Sequence, residues 1–428
     1  MSQNYKFETL CLHAGQEPDP TTTARGVAVH RTSSYVFKST EHAANLFGLK
    51  ELGNIYTRIM NPTQDVLEQR VAALEGGAAA LALASGTAAI HYSIINICSA
   101  GDEIVSANNL YGGTYTMFDN ILPQFGIRTK FADARDPQSF DSAITDKTRA
   151  IFIETIGNPL LDFTDIGAIS EIAQKHHLPL IVDATFTTPF LLRSFDHGAD
   201  IVINSLTKWM GGHGTGIGGI VIDSGKFDWT DPKFNLYNEP DPSYHGLRYA
   251  HDLGDLNPVA FIMRMRLVPL RNLGACISPD NSWIFLQGLE TLALRIQRHC
   301  ENAMSVARFL KTHPKVSWVR YPGLEDDPSY PAASKYLDNG FGAMVVFGIE
   351  GGLESGKKFV DSLQLFSHLA NVGDAKSLVI HPSSTTHSQL SEEQQRAGGL
   401  TPDLVRLSVG LEHIDDIVGD LEQAFAKV

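Results

Sequence analysis

The sequence predicts an α/β protein with a large domain, whose mostly parallel sheet is covered by helices, and a smaller C-terminal α+β domain. After residue 62, short apolar runs alternate with stretches of helical spacing, which is typical of a parallel sheet covered on both faces. Beyond residue 282 the pattern changes to strands separated by two helical stretches, which favours an antiparallel sheet. We therefore predict an arm at 1–62, a ligand-binding domain at 63–282 and a C-terminal domain at 283–428.

Composition and charge narrow the class of protein. With 34 Lys and Arg against 48 Asp and Glu, the net charge is −14, which disfavours a general electrostatic grip on nucleic acid or anionic lipid. Apolar residues make up 43% and charged residues 19%, without a polar low-complexity block, so we expect a folded, soluble chain. Any anion that it binds therefore needs a local pocket.

The N-terminal sequence and the cysteines bear on the compartment. The first ten residues lack a basic region followed by an apolar stretch, and no run of 18 apolar residues occurs. The four cysteines, at Cys11, Cys98, Cys276 and Cys300, are far apart and lack the spacing of a zinc site or a disulfide framework. We expect a cytoplasmic protein without membrane segments.

Residues 1–62 are rich in Thr, Gly, Asn and Pro and show little periodicity. They end in the segment Tyr56-Thr-Arg58-Ile-Met-Asn-Pro62. Because such a stretch has few apolar residues with which to form its own core, we expect an arm that lies on a neighbouring surface.

The segment 63–282 begins with Leu67, Val71 and Leu74 at helical spacing. We predict further helices at Thr87–Ile97 and Asp165–His176. The apolar runs predict buried strands at Ala79–Leu83, Glu103–Ser106, Ala150–Glu154, Leu180–Asp183 and Ile201–Asn204. Ligands of such sheets bind beyond the carboxyl ends of the strands.

Further along, residues 226–279 show little regular pattern and are interpreted as an elaborated surface or active-site loop. A long helical stretch is predicted from Ser282 to Thr312, with the domain boundary near its start. The C-terminal strands are predicted at Val316–Arg320, Met344–Phe347, Leu378–Ile380 and Val405–Val409, and the helices at Gly356–Leu369 and Asp415–Lys427.

Asp183 and Lys208 are the first candidates for chemistry. Asp183 closes a predicted strand at its carboxyl end, although alone it would be interpreted as a helix cap or a surface carboxylate. Lys208 follows another buried strand and precedes a glycine-rich stretch, whereas most lysines are solvated surface residues. A desolvated lysine loses its proton readily and forms a Schiff base with a carbonyl. A lysine with an aspartate opposite a pyridine nitrogen indicates pyridoxal phosphate.

This cofactor needs a site for its phosphate dianion. Ser85-Gly86-Thr87 lies between a predicted strand and a predicted helix, where backbone N–H groups can bind an anion. Ser205 and Thr207 add hydroxyl groups next to the lysine. Many helices begin with such a turn, so the three residues carry weight only together with the Asp and the Lys.

The glycine-rich stretch suggests a rival, an NAD-dependent oxidoreductase. Gly214, Gly216 and Gly219 match the spacing of the dinucleotide fingerprint. The fingerprint requires a preceding strand and a following helix, whereas a strand-like run follows here, so we interpret the match as accidental.

Six motifs in this order resemble the Cys/Met-metabolism family of pyridoxal-phosphate enzymes, of fold type I, over essentially the whole chain. They are Tyr56-x-Arg58-x-x-Asn61-Pro62-Thr63, Ser85-Gly86-Thr87, Tyr111-Gly112-Gly113-Thr114, Val182-Asp183-Ala184-Thr185-Phe186, Ser205-Leu206-Thr207-Lys208 and Arg406-Leu407-Ser408-Val409-Gly410. Position 184 departs from the family pattern, which usually has Asn there.

The resemblance implies a role for each matching residue. Lys208 would hold the cofactor and move protons, Asp183 would pair with the pyridine nitrogen, and Tyr111 would stack on the ring and assist proton transfer. The phosphate would be bound within the subunit by Ser85, Gly86, Thr87, Ser205 and Thr207, and it would be reached from the partner subunit by Tyr56 and Arg58. Asn158 would approach the cofactor's phenolic oxygen. Arg406 would bind the substrate carboxylate, and Ser377 would line the substrate pocket. The family has no metal, so His381 and His387 are expected to form local hydrogen bonds.

The resemblance also implies a reaction class, namely elimination or replacement at the γ-carbon, or cleavage at the β-carbon, of amino acids bearing sulfur or activated oxygen. Within the family the chain looks most like the O-acetylhomoserine sulfhydrylases, in which sulfide or methanethiol displaces acetate to give homocysteine or methionine. Gly113 stands where methionine γ-lyases carry a cysteine. The resemblance further implies a homotetramer built from dimers that share active sites.

Several alternatives stay open at this point. One group is enzymatic: an O-succinylhomoserine sulfhydrylase, a cystathionine γ-synthase, or a methionine or cystathionine γ-lyase. Another is a protein that binds the cofactor and works by interaction with little turnover. The sequence does not discriminate among ester substrates or among thiol acceptors.

Overall fold

The computed structural model describes residues 5–385 and 399–428. Its larger sheet has seven strands in the order β1-β7-β6-β5-β4-β2-β3. The strands are β1 Ala79–Leu83, β2 Glu103–Ala107, β3 Arg128–Ala132, β4 Thr148–Glu154, β5 Leu180–Asp183, β6 Ile201–Asn204 and β7 Gly219–Asp223. All neighbours from β6 to β3 are parallel, and β7 is antiparallel to both β1 and β6. The prediction of an α/β protein with a mostly parallel sheet is confirmed.

The central strands are buried on both faces because their residues are almost all apolar. In β5 and β6, Ile181, Val182, Ile201, Val202 and Ile203 are completely buried. Burial of each such side chain stabilises the fold by roughly 1.5–3 kcal/mol. The parallel pairing also brings the carboxyl ends of β4, β5 and β6 to one edge of the sheet.

The helices surround the two sheets. In chain order they are α1 Phe7–His13, α2 Thr40–Phe47, α3 Pro62–Glu75, α4 Gly86–Ile95, α5 Gly112–Thr116, α6 Pro137–Ala143, α7 Ile166–Lys175, α8 Thr188–Leu191, α9 Asn235–Asn238, α10 Ala260–Met265, α11 Arg271–Leu273, α12 Pro279–Glu290, α13 Leu292–Thr312, α14 Tyr330–Tyr336, α15 Gly352–Ser362 and α16 Ile414–Phe425. No helix within residues 5–385 and 399–428 is long and apolar enough to cross a membrane.

Local sequence explains the ends of helix α3. The Asn61 side chain accepts a hydrogen bond from the Thr63 N–H, and Pro62 takes the first helical position, where a backbone N–H is not needed. Gly76 ends the helix at φ 78°, in the left-handed region that favours glycine. The chain therefore passes from α3 into β1 through a short connection.

The second sheet has five strands in the order β10-β11-β12-β9-β8. They are β8 Val316–Arg320, β9 Met344–Ile349, β10 Ser367–His368, β11 Leu378–Ile380 and β12 Leu404–Ser408. All pairs are antiparallel except β10 with β11. Helices α13, α15 and α16 pack on it around a separate apolar core. The expected smaller α+β unit is present.

Several predicted elements were wrong. The helix predicted at Gly356–Leu369 ends at Ser362, because Leu363 is extended and residues 367–368 pair with β11. The helix predicted from Ser282 to Thr312 is two helices that join at Thr291. Two short helices, α1 and α2, form within the arm, for which no regular structure was expected.

Residues 226–279 also differ from the prediction of a surface loop. They contain α9, α10 and α11 and bury the aromatic side chains of Trp229, Phe234, Tyr237 and Phe261 against one another. The irregular spacing of these aromatic side chains in the sequence matches neither the period of a helix nor that of a strand. The domain limits at 62 and 282 stay predictions, and residue 282 lies within α12.

Candidate active site

The candidate residues gather at the edge where β4, β5 and β6 end. Asp183 is the last residue of β5, and the segment Ser205–Lys208 directly follows β6. The Ser85 turn lies beside it, since a Cβ atom on Gly86 would meet the Ser205 Cβ atom at 2.7 Å. The parallel sheet thus assembles residues that are more than a hundred positions apart in the chain.

Lys208 is part-buried, and its amine has one hydrogen-bond partner in the part of the chain that the structure describes. The Nζ atom donates to the Asn371 Oδ1 atom at 2.6 Å. Burial, and to a smaller extent the positive charge of Arg406, lowers the pKa of Lys208 to about 8. A larger fraction of this amine is therefore neutral near physiological pH than of an exposed lysine, and this fraction is available as a nucleophile or base.

Asp183 is oriented by its own loop. Its Oδ1 atom accepts a hydrogen bond from the Thr185 N–H at 2.9 Å, and the Thr185 hydroxyl accepts one from the Ser205 N–H at 2.8 Å. Ala184, the residue that departs from the family pattern, is completely buried and donates its N–H to the Ile203 carbonyl. The contacts of the Asp183 carboxyl group therefore come from Thr185 and do not require a polar side chain at 184.

A second carboxyl group, which the sequence interpretation missed, lies beside Asp183. Glu154 ends β4 and is paired in register with Asp183 on β5, so both side chains extend from the same face of the sheet. Burial, and then the charge of Asp183, raises the pKa of Glu154 well above its usual range. Burial also raises the pKa of Asp183, but hydrogen bonding from Thr185 opposes this effect. We assign the negative charge to Asp183 and the proton to Glu154.

Tyr111 is positioned through its backbone. Its N–H donates to the Glu154 Oε1 atom at 2.8 Å, while its side chain is 54% exposed at the site edge. Gly113 is close beneath the ring, because a Cβ atom there would lie 2.6 Å from the Tyr111 Cε1 atom. The ring is thus free to cover a planar ligand.

The Ser85–Thr87 turn forms an anion cradle. Ser85 caps α4 by accepting a hydrogen bond from the Ala88 N–H at 3.0 Å, which leaves the N–H groups of Gly86 and Thr87 at the exposed end of the helix. A Cβ atom on Gly219 would lie 2.2 Å from the Ser85 carbonyl oxygen, so β7 holds the turn from behind. Thr207 instead exchanges hydrogen bonds with the Gly218 backbone at 3.1 and 3.2 Å.

Arg406 approaches the site from β12 of the second sheet. Its Nη1 atom donates to the Asn158 Oδ1 atom at 3.2 Å, and Asn158 is held by its own N–H to the Asn109 carbonyl at 3.1 Å. Burial lowers the pKa of Arg406 to about 10. A part-buried guanidinium whose hydrogen-bond partner among the described residues is a neutral amide is well suited to bind a carboxylate in a fork.

The loop predicted to line the substrate pocket contains a different contact residue. Ser377 is completely buried, donates its hydroxyl to Glu412 at 2.9 Å and accepts the Gly410 N–H at 2.9 Å, so its hydroxyl is engaged within the protein. Asn371, in the same loop, contacts Lys208 instead. No sequence signal identified it, because neither the length nor the path of the loop can be read from residue spacing.

Two predicted residues are not part of this cluster within one chain. Tyr56 and Arg58 are both exposed, and Arg58 lies over the Tyr56 ring at 5.2 Å. Neither forms a hydrogen bond with the Ser85–Thr87 turn in the described structure.

His381 contacts Ser384 and the Pro402 carbonyl, both at 2.9 Å, while His387 lies outside the described residues. The described His, Cys, Asp and Glu residues form no cluster suited to a metal ion.

The site fits pyridoxal phosphate on three counts. A partly neutral lysine amine, a carboxylate and an anion cradle share one sheet edge, and the cradle has no room for a side chain at Gly86. The Asp183 carboxylate has hydrogen-bond capacity left after its bond from Thr185, as a charged pyridine nitrogen requires. The exposed Tyr111 ring can stack on the ligand.

Comparison with known proteins agrees with this arrangement. Residues 8–426 match the family model described as Cys/Met metabolism PLP-dependent enzyme. An O-acetyl-L-homoserine sulfhydrylase of Leptospira meyeri is 56% identical and covers 100% of this chain and 98% of its own length. A homocysteine synthase of Schizosaccharomyces pombe is 51% identical, with 98% and 97% covered.

A solved structure is also similar. A chain from Campylobacter jejuni, with N'-pyridoxyl-lysine-5'-monophosphate at its position 205, superimposes with a TM-score of 0.95 at 43% sequence identity. The match covers 99% of this chain and 100% of that chain.

Proposed function

The chain belongs to the Cys/Met metabolism family of PLP-dependent enzymes, and on that premise we propose that it is an O-acetyl-L-homoserine sulfhydrylase. It replaces the acetate at the γ-carbon of O-acetyl-L-homoserine by sulfide, which gives L-homocysteine and acetate. Methanethiol in place of sulfide gives L-methionine. Relatives named for this activity match over their full length at up to 56% identity, and this supports the substrate assignment.

One geometric observation carries the reaction class. Lys208 and Asp183 follow neighbouring parallel strands at the ligand edge of the sheet, and Arg406 approaches from the second sheet. Pyridoxal phosphate, when bound, supplies an electron sink next to the α-carbon of the substrate. The protein residues must hold the cofactor and the substrate and move protons.

Lys208 is the proposed attachment point and base. Its Nζ atom, with a pKa near 8, accepts the proton from the substrate α-carbon, and Asn371 keeps the amine within the site. Such a positioned base contributes about 10²–10⁴-fold to the rate. Asp183 keeps the cofactor's ring nitrogen charged, and Tyr111 covers the ring and assists proton transfer.

The remaining residues bind charged groups. Gly86 and Thr87 supply N–H groups, and Ser85 and Ser205 supply hydroxyls, to the phosphate. Thr207 supports this site through its hydrogen bonds with the Gly218 backbone, and its hydroxyl reaches the phosphate only if it leaves the Gly218 carbonyl. Asn158 faces the cofactor's phenolic oxygen. Arg406 binds the substrate α-carboxylate, which supplies the anionic partner that its guanidinium does not find among residues 5–385 and 399–428. The loop of Ser377 closes the substrate pocket through Asn371, while Ser377 itself supports the loop.

The arm completes the site of a second subunit in this proposal. Tyr56 and Arg58 are exposed and lie in an arm whose Val36 side chain is 98% exposed, which supports docking against another copy. The phosphate then receives a guanidinium from the partner subunit. We propose a homotetramer built from dimers of this kind, located in the cytoplasm.

The reaction is tested by supplying O-acetyl-L-homoserine and sulfide and measuring homocysteine and acetate. Parallel assays with O-succinyl-L-homoserine, methanethiol and cysteine define the ester and the acceptor. We expect homocysteine in stoichiometric amount with acetate. Release of a 2-oxo acid without homocysteine would identify a γ-lyase instead, and no turnover with any donor would indicate a binding protein.

Lys208→Ala tests the role of the lysine. We expect kcat/KM to fall by at least about 10²–10⁴-fold, with loss of the covalently bound cofactor. Lys147→Ala is the matched control, because Lys147 is an exposed lysine next to β4, near the opposite edge of the sheet. Equal effects of the two variants would contradict the proposed role.

A further inference from the structure

Arg295 in α13 is a buried cation without a carboxylate partner in the described structure. Only 5% of the residue is exposed. Its guanidinium donates to the Trp209 carbonyl at 2.7 Å, to the Met210 carbonyl at 3.0 Å, to the Gly288 carbonyl at 2.7 Å and to the Thr291 hydroxyl at 3.3 Å. Three of its four acceptors are therefore backbone carbonyl groups.

Two of these carbonyls belong to the residues that directly follow Lys208. Trp209 and Met210 are 1% exposed, so their carbonyl groups need protein donors. The turn does not supply them, because the Gly211 N–H bonds to Leu206 and the Gly212 N–H bonds to Lys208. The Arg295 guanidinium, here called the fork, supplies the N–H donors that a following helical turn would otherwise provide. Because the guanidinium is charged, these hydrogen bonds are stronger than those between neutral groups.

The same backbone is enclosed on its other sides. A Cβ atom on Gly288 would lie 2.7 Å from the Met210 carbonyl oxygen, and one on Gly373 would lie 2.6 Å from the Trp209 nitrogen. A Cβ atom on Gly212 would lie 1.9 Å from the Arg295 Nη1 atom. The segment is therefore closely packed, and the Arg295 fork adds the hydrogen bonds that orient its carbonyl groups within this packing.

We propose that Arg295 is a positioning residue that fixes the backbone of Lys208, so that the lysine Nζ atom stays at Asn371 beside the end of β5. This inference rests on the proposed role of Lys208. Lysine at position 295 would not serve, because a single ammonium group cannot reach two adjacent carbonyl groups in the plane of a fork.

Arg264 provides a matched control for a purely structural role. It is also buried, at 7% exposure, and its guanidinium also binds backbone carbonyl groups, those of Leu236 at 3.1 Å and Asn96 at 3.0 Å. These partners belong to α9 and to the residue after α4, so the control removes a similar set of bonds away from Lys208.

The experiment compares Arg295→Lys with Arg264→Lys in the full-length protein. Lys208 acetylation is followed against pH after removal of the cofactor, with Lys147 as internal reference, and pyridoxal phosphate is then titrated back. In Arg295→Lys we expect the midpoint of Lys208 acetylation to rise from about pH 8, because a displaced amine regains water. We expect the affinity for pyridoxal phosphate to fall about tenfold or more.

Arg264→Lys is expected to leave both readouts at their wild-type values. Equal values of both readouts in the two variants would overturn the proposal. If Arg295→Lys does not fold, Thr291→Val replaces it as the test, because it removes one hydrogen-bond acceptor of the Arg295 guanidinium. This variant should shift both readouts in the same direction by a smaller amount. No shift in either readout would overturn the proposal. A wild-type protein without cofactor at Lys208 would instead overturn the proposed function, while the acetylation profile would still report on Arg295.

Discussion

At the scale of single residues, the chemistry depends on how burial changes proton affinity. Burial lowers the pKa of Lys208 and raises the pKa of Glu154, because it disfavours the charged form of each group. Burial therefore favours the neutral amine of Lys208 and the protonated carboxyl group of Glu154. Of these two neighbouring carboxyl groups, Asp183, which accepts hydrogen bonding from Thr185 of its own loop, is the one that we assign a negative charge.

Substitution of Asn371 tests whether this side chain influences the pKa of Lys208. Asn371→Asp places a carboxylate next to the Lys208 amine, which favours the ammonium form and raises its pKa. Because the base must be neutral, we expect the acidic limb of the kcat–pH profile to move to higher pH. Asn371→Ala is the uncharged control, in which kcat should fall without that upward shift. An unshifted profile in Asn371→Asp would show that the two side chains do not meet during turnover.

At the scale of elements, the site depends on close packing between the ends of strands and helices. The turn before α4, the end of β6 and the start of β7 approach so closely that only glycine fits at positions 86 and 219. Beneath them, Glu75 of α3 accepts a hydrogen bond from Asn204 of β6 at 2.8 Å. The anion cradle is therefore a product of three elements and not of one motif.

Gly86→Ala should weaken cofactor binding. The added methyl group would meet the Ser205 Cβ atom at 2.7 Å and the Ser205 Oγ atom at 3.0 Å, which separates the two parts of the cradle. We expect the dissociation constant for pyridoxal phosphate, measured by absorbance titration, to rise at least about tenfold, as loss of one charged hydrogen bond implies. Gly419→Ala, in α16, is the control, because a Cβ atom there meets nothing within 4 Å. Unchanged affinity in Gly86→Ala would contradict the assignment of the cradle.

Glu75 should make the stability depend on pH. Burial, opposed by the hydrogen bond from Asn204, raises the pKa of Glu75 from 4.5 to about 8. The folded state therefore binds a proton more tightly than the unfolded state, and this contribution to stability, present below pH 4.5, is lost as pH rises through about 8. Glu75→Gln should flatten this decline in urea unfolding between pH 5 and pH 9. The exposed Glu354→Gln should not, and identical slopes in all three proteins would refute the expectation.

At the scale of the whole molecule, the two sheets cooperate. The larger sheet supplies Lys208, Asp183 and the cradle, while the second sheet supplies Arg406 and the loop of Asn371. The net charge of −14 makes a local cluster of cations necessary for an anionic cofactor and substrate. In the proposed dimer, Arg58 of the arm adds one such cation from the other subunit.

Subunit complementation tests this shared site. Arg58→Ala and Lys208→Ala should each be nearly inactive alone. Co-expressed in equal amounts they should recover about a quarter of the wild-type activity, because half of the dimers are hybrids with one complete site of two. Light scattering checks that assembly is unchanged. No recovery in verified hybrids would show that both residues serve the same subunit's site, whereas wild-type activity of Arg58→Ala alone would show that the arm does not reach a site.

The sequence allowed much of this structure to be predicted where the signal is local. The apolar runs located β1, β5, β6 and β11 with their correct ends, because buried strands need uninterrupted apolar residues. The ends of β8, which is partly exposed, were also predicted correctly. It failed where the signal is weak: β3, an edge strand whose residues are mostly part-exposed, was missed, and the aromatic cluster of residues 226–279 was taken for a loop. In the site, Asn371 and Glu154 were missed because their importance comes from contacts with Lys208 and Asp183, which are distant in sequence.

The sequence by itself determined the cofactor chemistry, because a lysine after one strand, an aspartate ending another and a Ser-Gly-Thr helix start are local patterns that few other reactions require. Only the tertiary structure decided which groups tune that chemistry. Asn371 and Arg295 contact Lys208 or its neighbours from 163 and 86 positions away. Contacts over such separations are set by the packing of two sheets and a long helix, and nothing in the linear order of residues encodes the distance between their atoms.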